Sequence, residues 1–199
     1  MNAVKKARVK TVIKYTWPIY LVLGVIAVFL LNFIFGVVHR TPKYKTLTLF
    51  ISGEYTDIKK LDNDILDKYK DKELKQFSCI SANPSESTYY TKLTTAGYNS
   101  ADVLIINASK LDNLNASSFA LDLSNELIVS YYQGYTLYQQ DDVNYGVKVD
   151  KEKVKEYMAL PEEDCYMLLN YKSENLGQYS KKQNSEHDNA LNLIKEWGM

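Results

Sequence analysis

The stretch Ala101–Asn107 reads ADVLIIN, and this apolar run decides the fold. Runs of this kind are typical of strands that are covered on both faces, as in parallel sheets. Two further β-rich segments precede it, TLTLFI at Thr46–Ile51 and LKQFSCIS at Leu74–Ser81. About 20 residues separate each segment from the next, which is enough for a crossover helix between parallel strands.

Helical patterns fill both gaps. Apolar residues recur at helical spacing over Asp57–Tyr69, which predicts the first crossover helix. The second helix is predicted to end at Ala96, with Ser85 or Ser87 as its N-cap and Gly97 past its end. This order of strands and helices predicts an α/β fold, a three-layer domain whose mostly parallel sheet has helices on both faces.

The second half of the chain carries shorter signals. Asp141-Asp142 separates two β-rich segments and predicts a hairpin. The elements predicted in this half are a helical turn at Ser109–Leu114, a short helix at Asn125–Tyr132, hairpin strands at Tyr135–Gln140 and Tyr145–Val149, a strand at Cys165–Lys172 and a closing helix at Asp188–Trp197.

An uncharged run, Tyr15–Val38, precedes the α/β segment. As a helix it would span roughly 36 Å, against a hydrocarbon core of about 30 Å, so it predicts a transmembrane helix in contact with the lipid bilayer. The alternative is a secretory signal peptide, whose apolar stretch is normally about 7–15 residues long and ends at a small-residue cleavage site. The longer run, and the sequence FGVVH at Phe35–His39, favour an uncleaved anchor.

Flanking charge predicts the orientation of this anchor. Five Lys/Arg precede the span and three follow it, so the positive-inside rule predicts a single-pass protein of the cell membrane with a cytoplasmic N-terminus and an extracellular C-terminal domain. The predicted segments are a basic tail at 1–14, the membrane helix at 15–38, a linker at 39–45 and the exported domain at 46–199. Beyond residue 45 the formal charge is −8, so no nucleic-acid partner is expected.

Several segments, taken in order, resemble type 2 extracellular solute-binding proteins, the substrate receptors of ABC transporters. These segments are TLTLFISGEY from Thr46, STYYTKLTTAGYNSADVLII from Ser87, KLDNL and ALDLS from Lys110 and Ala120, YGVKV from Tyr145 and CYMLLNYKSENLG from Cys165. The resemblance implies one lobe of a periplasmic-binding-protein-like fold. It also implies that ligand contacts fall in the loops after the parallel strands.

Three features depart from that family's pattern. The second lobe has no counterpart here, Lys148 stands where the family has a proline, and a transmembrane helix replaces a lipid anchor. Closure around a solute needs two bodies, so one lobe offers half a cleft. A partner, expected to be a transporter-type membrane protein complex, would then supply the other wall.

Polar residues follow each of the three predicted parallel strands. In open α/β sheets, ligands bind beyond the carboxyl ends of the strands. The candidate ligand-binding residues are Ser52, Gly53, Glu54, Ser85, Asn107, Ser109 and Lys110. They predict a site for a small solute or a peptide, and the alternative is that they serve only as turn and cap residues.

Tyrosine is unusually frequent, with 17 residues in the chain. Tyr131, Tyr132, Tyr135 and Tyr138 cluster in sequence. Tyrosines are common at protein interfaces because they combine apolar area with a polar tip, so this group is a candidate interface. The alternative is that they belong to an ordinary strand-rich surface.

The remaining residues point to no catalytic, metal or cofactor site. The histidines His39 and His187 belong to no nucleophile motif, and the chain has no phosphate-binding loop or metal-ligand spacing. Cys79 and Cys165 either form a disulfide or pack as buried thiols. The sequence therefore predicts a membrane-tethered module that binds a solute or peptide, or an accessory subunit that binds only protein partners, and no enzyme.

Overall fold

The computed structural model describes residues 3–38, 41–124, 126–180 and 187–199. The chain divides into two compact units, residues 1–40 and residues 41–199. The first unit contains one long helix, α1 (Ala3–Val38). Its segment Thr16–Gly36 has a mean hydropathy of 2.5 and no buried residue, so it is long and apolar enough to cross a membrane. Residues 39 and 40 of the predicted linker lie outside the described residues.

The second unit alternates strands and helices. The strands are β1 (Thr46–Ser52), β2 (Glu54–Tyr55), β3 (Gln76–Ala82), β4 (Val103–Asn107), β5 (Leu137–Gln140), β6 (Val143–Lys148), β7 (Met158–Ala159) and β8 (Cys165–Leu169). The α-helices are α2 (Ile58–Lys68), α3 (Tyr89–Lys92), α4 (Tyr98–Ser100), α5 (Ala108–Leu111), α6 (Glu126–Val129), α7 (Lys151–Val154) and α8 (Asn189–Trp197). A π-helical turn at Leu93–Gly97 joins α3 to α4, and 3₁₀ turns occupy Lys43–Lys45, Lys70–Lys72, Ala116–Ser118, Ser130–Tyr132 and Gly177–Tyr179.

Six strands form one mixed sheet in the order β3-β1-β4-β8-β6-β5. β1 pairs in parallel with β3 on one side and with β4 on the other, which confirms the three predicted parallel strands. β8, β6 and β5 extend the sheet through antiparallel pairings, so four of the six strands run in the same direction. β2 and β7 form a separate two-stranded antiparallel ribbon, which we did not predict.

Both faces of the sheet are covered, as the apolar run at β4 predicts. All five residues of β4 are buried. Val103 and Ile105 belong to the core that contains α2 and α8, whereas Leu104 and Ile106 belong to the core beneath residues 89–100. Burial of each such side chain contributes about 1.5–3 kcal/mol. The structure therefore confirms the α/β class with helices on both faces of the sheet.

The second crossover helix begins later than predicted. The helix begins at Tyr89, and no side chain forms a capping hydrogen bond at its N-terminus. Neither Ser85 nor Ser87 is therefore its N-cap. Ser85 instead donates its backbone N–H to Asn83 Oδ1 at 2.9 Å. This is an Asx turn, in which the asparagine side chain competes for the backbone groups that a helix would use.

The same helix also ends later than predicted. Gly97 lies inside the helical segment, which continues to Ser100, and so it is not the residue past the end. A Cβ at Gly97 would lie 3.0 Å from Leu93 Cδ1 and 3.2 Å from Leu104 Cδ2. The glycine is therefore explained by close packing of the helix on β4, a use that sequence alone does not distinguish from a helix stop.

The predicted hairpin is confirmed, with β5 and β6 joined by Asp141 and Asp142. These two residues have φ values of 52° and 62°, the left-handed conformation that two-residue hairpin turns of type I′ require. The strand predicted over Cys165–Lys172 ends at Leu169, and the closing helix begins at Asn189. Residue 125, the predicted start of the short helix α6, lies outside the described residues.

A buried polar cluster links the amino ends of β1 and β4. Asp102, 8% exposed, accepts hydrogen bonds from the Thr48 N–H at 2.7 Å and from Ser173 Oγ at 2.5 Å. Burial raises the pKa of Asp102 to about 6, against the opposing effect of the hydrogen bonds from Ser173 and Thr48. Asn175 extends the cluster by donating to the Thr46 carbonyl at 2.8 Å.

Candidate functional site

An open cavity of about 350 Å³ lies where the three parallel strands end. The loops after β1, β3 and β4 each contribute to it, and the segment between β7 and β8 forms a further wall. The lining residues are Gly53, Glu54, Asn83, Pro84, Ser85, Asn107, Ala159, Leu160, Pro161 and Glu163. Four of the seven predicted ligand-binding residues are among them, so the structure brings part of the predicted site together at the expected edge of the sheet.

The ribbon of β2 and β7 holds in place the cavity wall that the segment between β7 and β8 forms. Glu54 pairs with Ala159, and Tyr55 pairs with Met158. A Cβ at Gly53 would lie 2.5 Å from the Ala159 carbonyl oxygen, closer than any side chain tolerates. Glycine is therefore required for the loop after β1 to approach β7.

Lys151 of α7 fixes the backbone of the same wall. Its Nζ donates to the carbonyl oxygens of Pro161, Glu162 and Glu163 at 2.6, 2.6 and 2.7 Å. An ammonium group has three donors, so the three carbonyls use them all. The lysine thus holds the loop in the conformation that presents Glu163 to the cavity.

Glu163 is the most strongly constrained side chain of the cavity. Its carboxylate accepts from Asn107 Nδ2 at 2.6 Å, from the Ser109 N–H at 2.9 Å and from Ser109 Oγ at 2.8 Å. Glu163 is exposed, and although some desolvation opposes its ionisation, the hydrogen bonds from Asn107 and Ser109 outweigh that effect and hold the pKa of Glu163 below its ordinary value. The side chain is therefore charged at neutral pH.

Asn107, at the end of β4, contributes an unpaired acceptor. It is 1% exposed, and its amide donates to Glu163 and to Ser109 Oγ, the latter at 3.1 Å. Its Oδ1 atom is buried without a hydrogen-bond partner, as is only one other side-chain atom of the described residues, Asn189 Oδ1, which does not line this cavity. Leaving such a group unpaired costs about 1–3 kcal/mol, so a donor that reached this oxygen would stabilise the site.

Glu54 and Asn83 connect two of the loops. Asn83 Nδ2 donates to Glu54 Oε1 at 3.3 Å, while Asn83 Oδ1 accepts from the Ser85 N–H. Glu54 is exposed, and within the described part of the chain its second oxygen accepts no hydrogen bond. As far as the structure describes the chain, the cavity lining therefore contains two carboxylates, Glu54 and Glu163, and no Lys, Arg or His side chain.

Three predicted residues lie beside the cavity and do not line it. Ser52 is buried and shares a 2.5 Å hydrogen bond with Tyr89 OH. Ser109 holds Glu163, as described above. Lys110 Nζ lies 5.4 Å and 5.3 Å from the ring centroids of Tyr89 and Tyr90, which gives it two cation–π partners, and its charge attracts Glu163. These residues support the loops that form the site.

The four clustered tyrosines do not form a single surface. Tyr131 is 37% exposed, whereas Tyr132 is 3% exposed and packs in the core with Tyr135. Tyr138 packs against the opposite core, and its OH donates to Asp112 Oδ1 at 3.3 Å. Of the four, Tyr131 alone is exposed.

The sequence patterns did not identify Glu163 or Lys151 as residues of the site. Glu163 reaches the site because β8 runs antiparallel to β4, with Cys165 in register with Asn107. This pairing joins residues far apart in the chain, and no local pattern predicts it. The acidic residues that follow Pro161 are the only signal in the sequence, and such runs are usually solvated loops.

The described residues contain no group of three or more His, Cys, Asp or Glu side chains placed to hold a metal ion. Cys79 and Cys165 are both free thiols. Burial raises the pKa of Cys79 to about 12 and that of Cys165 to about 11, so both are protonated at neutral pH and are poor nucleophiles.

No known protein family matches the chain in a scan of family profiles, and a search of curated proteins finds no match.

Proposed function

We propose that this protein is a membrane-anchored binding module that captures a small solute or peptide at the cavity beyond β3, β1 and β4. In this proposal α1 is the anchor, its N-terminus is cytoplasmic, and the α/β unit is extracellular and works with a transporter-type membrane complex. The single observation that carries the proposal is the convergence of three strand-end loops on an open cavity lined in part by Asn107, whose amide oxygen Oδ1 is buried and unpaired.

The strand order supports a relationship to one lobe of a type 2 solute-binding protein. The first strand of the unit lies between the second and third long strands, all parallel, and the cavity lies at their carboxyl ends. In open α/β sheets this edge is where ligands bind. The cavity opens to solvent, which is consistent with a half-cleft that a second protein completes.

A ligand screen tests the proposal. The full-length protein, with Trp17 replaced by phenylalanine, is heated in detergent with sugars, amino acids and short peptides while the fluorescence of the buried Trp197 is recorded. A ligand raises the apparent melting temperature because it binds only the folded state. We expect Ser85→Trp, which fills the cavity, to abolish that shift, and Ser87→Trp, on the same exposed loop outside the lining, to preserve it.

The orientation is tested separately on intact cells. Ser117 is exposed, so a Ser117→Cys variant is expected to react with a membrane-impermeant maleimide if the α/β unit is extracellular. Both native cysteines are replaced by alanine in this experiment. Labelling that requires cell lysis would place the unit in the cytoplasm and contradict the proposed topology.

The alternative function is that of an accessory subunit that binds only protein partners, and β3 favours it. This strand lies at one edge of the sheet, is seven residues long and has no charged residue or proline between Gln76 and Ala82. Edge strands normally contain a charged residue or a proline, because these residues prevent pairing with other chains. The opposite edge strand, β5, has a register irregularity after Tyr138 that interrupts a flat edge.

Pull-down of the full-length protein tests this alternative. We expect a membrane complex to be recovered with the wild type and lost with Ile80→Lys, which adds a charge at a partly buried position in the middle of β3. Recovery of a monomer in both cases would count against a scaffold role.

A further inference from the structure

We infer that the ligand of this cavity is a small organic cation that presents a protonated amine to Glu54 and Glu163. This inference rests on the proposed binding function and names the chemistry of its ligand. It is carried by the charge, the hydrogen-bonding capacity and the apolar wall of the cavity.

The charge of the lining is uniformly negative. Among the described residues, Glu54 and Glu163 are the only ionisable side chains of the lining, and both belong to segments whose backbones are held in place, by the β2–β7 ribbon and by Lys151 respectively. Within the described residues neither nearby lysine forms a salt bridge with them, although the charge of Lys110 attracts Glu163 and contributes to the lowering of its pKa. Lys151 donates to three loop carbonyls, and Lys110 lies over two tyrosine rings. An anionic ligand would meet repulsion here, whereas a cation would be attracted.

The hydrogen-bonding capacity of the lining favours a donor. A carboxylate has about four acceptor positions, of which Glu163 uses three and Glu54 uses one. Asn107 adds an amide oxygen that has no partner, while both hydrogens of its amide are already donated. Free acceptors therefore outnumber free donors in the lining. A protonated primary amine supplies three donors and a positive charge, and a charge-assisted hydrogen bond is roughly twice as strong as a neutral one.

The apolar wall favours an organic cation over a bare ion. Pro84 faces the same cavity as Ala159, Leu160 and Pro161, so hydrocarbon surface lies beside the carboxylates. A methylene chain attached to the amine would bury area against this wall at about 25 cal/mol per Å². A metal ion gains nothing from such a wall.

Three probes of equal chain length separate the possibilities. Wild-type full-length protein, in nanodiscs of zwitterionic phosphatidylcholine, is titrated by calorimetry with 1,4-diaminobutane, 1,4-butanediol or succinate. We expect the diamine to bind and the neutral diol and the dianion to bind at least tenfold more weakly. Removal of one charged acceptor, by Glu54→Gln or Glu163→Gln, is expected to weaken diamine binding about tenfold or more.

Glu162→Gln is the matched control, because Glu162 is exposed, adjacent in sequence and outside the lining. It removes the same charge and is expected to change the affinity less than twofold. We expect Glu54→Gln to fold normally, since Glu54 is exposed and makes only one weak side-chain contact within the described residues. Weaker diamine binding by this variant therefore reports on the lost charge.

Each other outcome overturns the inference. Equal weakening by Glu162→Gln and Glu54→Gln would indicate diffuse attraction to an acidic surface. Tighter binding of the diol or of succinate, abolished by Ser85→Trp, would refute the cationic ligand but leave the binding function in place. If no probe binds, the inference is wrong. The broader solute screen then tests the proposed binding function independently.

Discussion

Replacing Asp102 by asparagine removes a carboxylate that the fold buries before β4. Since each pKa unit corresponds to about 1.4 kcal/mol, the rise from 3.8 to about 6 makes the ionised form cost the folded state about 3 kcal/mol. The folded pKa lies above the unfolded one, so the contribution of Asp102 to stability is complete below pH 3.8 and is lost as the pH rises through 6.

The expected result is therefore a pH-dependent difference between the two proteins. Asparagine does not titrate, and its own cost, such as a reversed hydrogen bond with Ser173 Oγ, is the same at every pH. Between pH 4 and pH 7.5 the variant should gain about 2.5 kcal/mol relative to wild type. The stability of the variant at a single pH does not test the raised pKa. That value combines the removal of the buried charge with the pH-independent cost of the asparagine side chain.

Urea unfolding at a series of pH values measures this difference. Trp17 is replaced by phenylalanine, so that Trp197 is the only tryptophan and reports on the α/β unit. The variant is compared with Asp67→Asn, a matched control that changes an exposed carboxylate on α2. A constant difference between wild type and Asp102→Asn from pH 4 to pH 8 would refute the raised pKa.

Three further perturbations follow from the loops around the sheet. Gly53→Ala should place a Cβ against the Ala159 carbonyl and lower the free energy of unfolding by at least about 1 kcal/mol in the same urea assay; an unchanged stability would show that the ribbon yields easily. Replacing Asp141-Asp142 by Asn-Gly should stabilise the protein by about 1 kcal/mol, because both positions have positive φ; a lower melting temperature would contradict the assigned turn. Lys151→Met should leave three loop carbonyls without their donor and speed amide hydrogen exchange in the loop before β8, whereas exchange confined to other segments would refute its role.

Local patterns were sufficient to predict most of the long elements. β1 and β4 are continuous or alternating apolar strands, and α2 and α8 have apolar residues at helical spacing that become buried. The hairpin was predictable because two aspartates in succession tolerate the left-handed turn. The short strands β2 and β7 were not predictable, since two residues carry no periodicity and their pairing depends on a close approach at Gly53.

The candidate site was predicted in part for the same reason. Gly53, Glu54, Ser85 and Asn107 lie at or shortly beyond the carboxyl ends of parallel strands, so topology alone brings them to one edge. Glu163 belongs to a loop that only the antiparallel pairing of β8 with β4 brings there. The tyrosines of the predicted interface are close in sequence, yet the structure packs them against different faces of one sheet, which sequence proximity does not reveal.

The central claim is that the cavity beyond β3, β1 and β4 binds a ligand, and hydrogen exchange of the full-length protein in nanodiscs tests it most directly. Amide exchange is followed by mass spectrometry with and without a pooled set of sugars, amino acids, short peptides and 1,4-diaminobutane. The structure predicts slower exchange in residues 53–55, 83–86, 107–110 and 159–164, and no such change in Ser85→Trp. Unchanged exchange in these segments, or protection confined to other parts of the α/β unit, would contradict the claim.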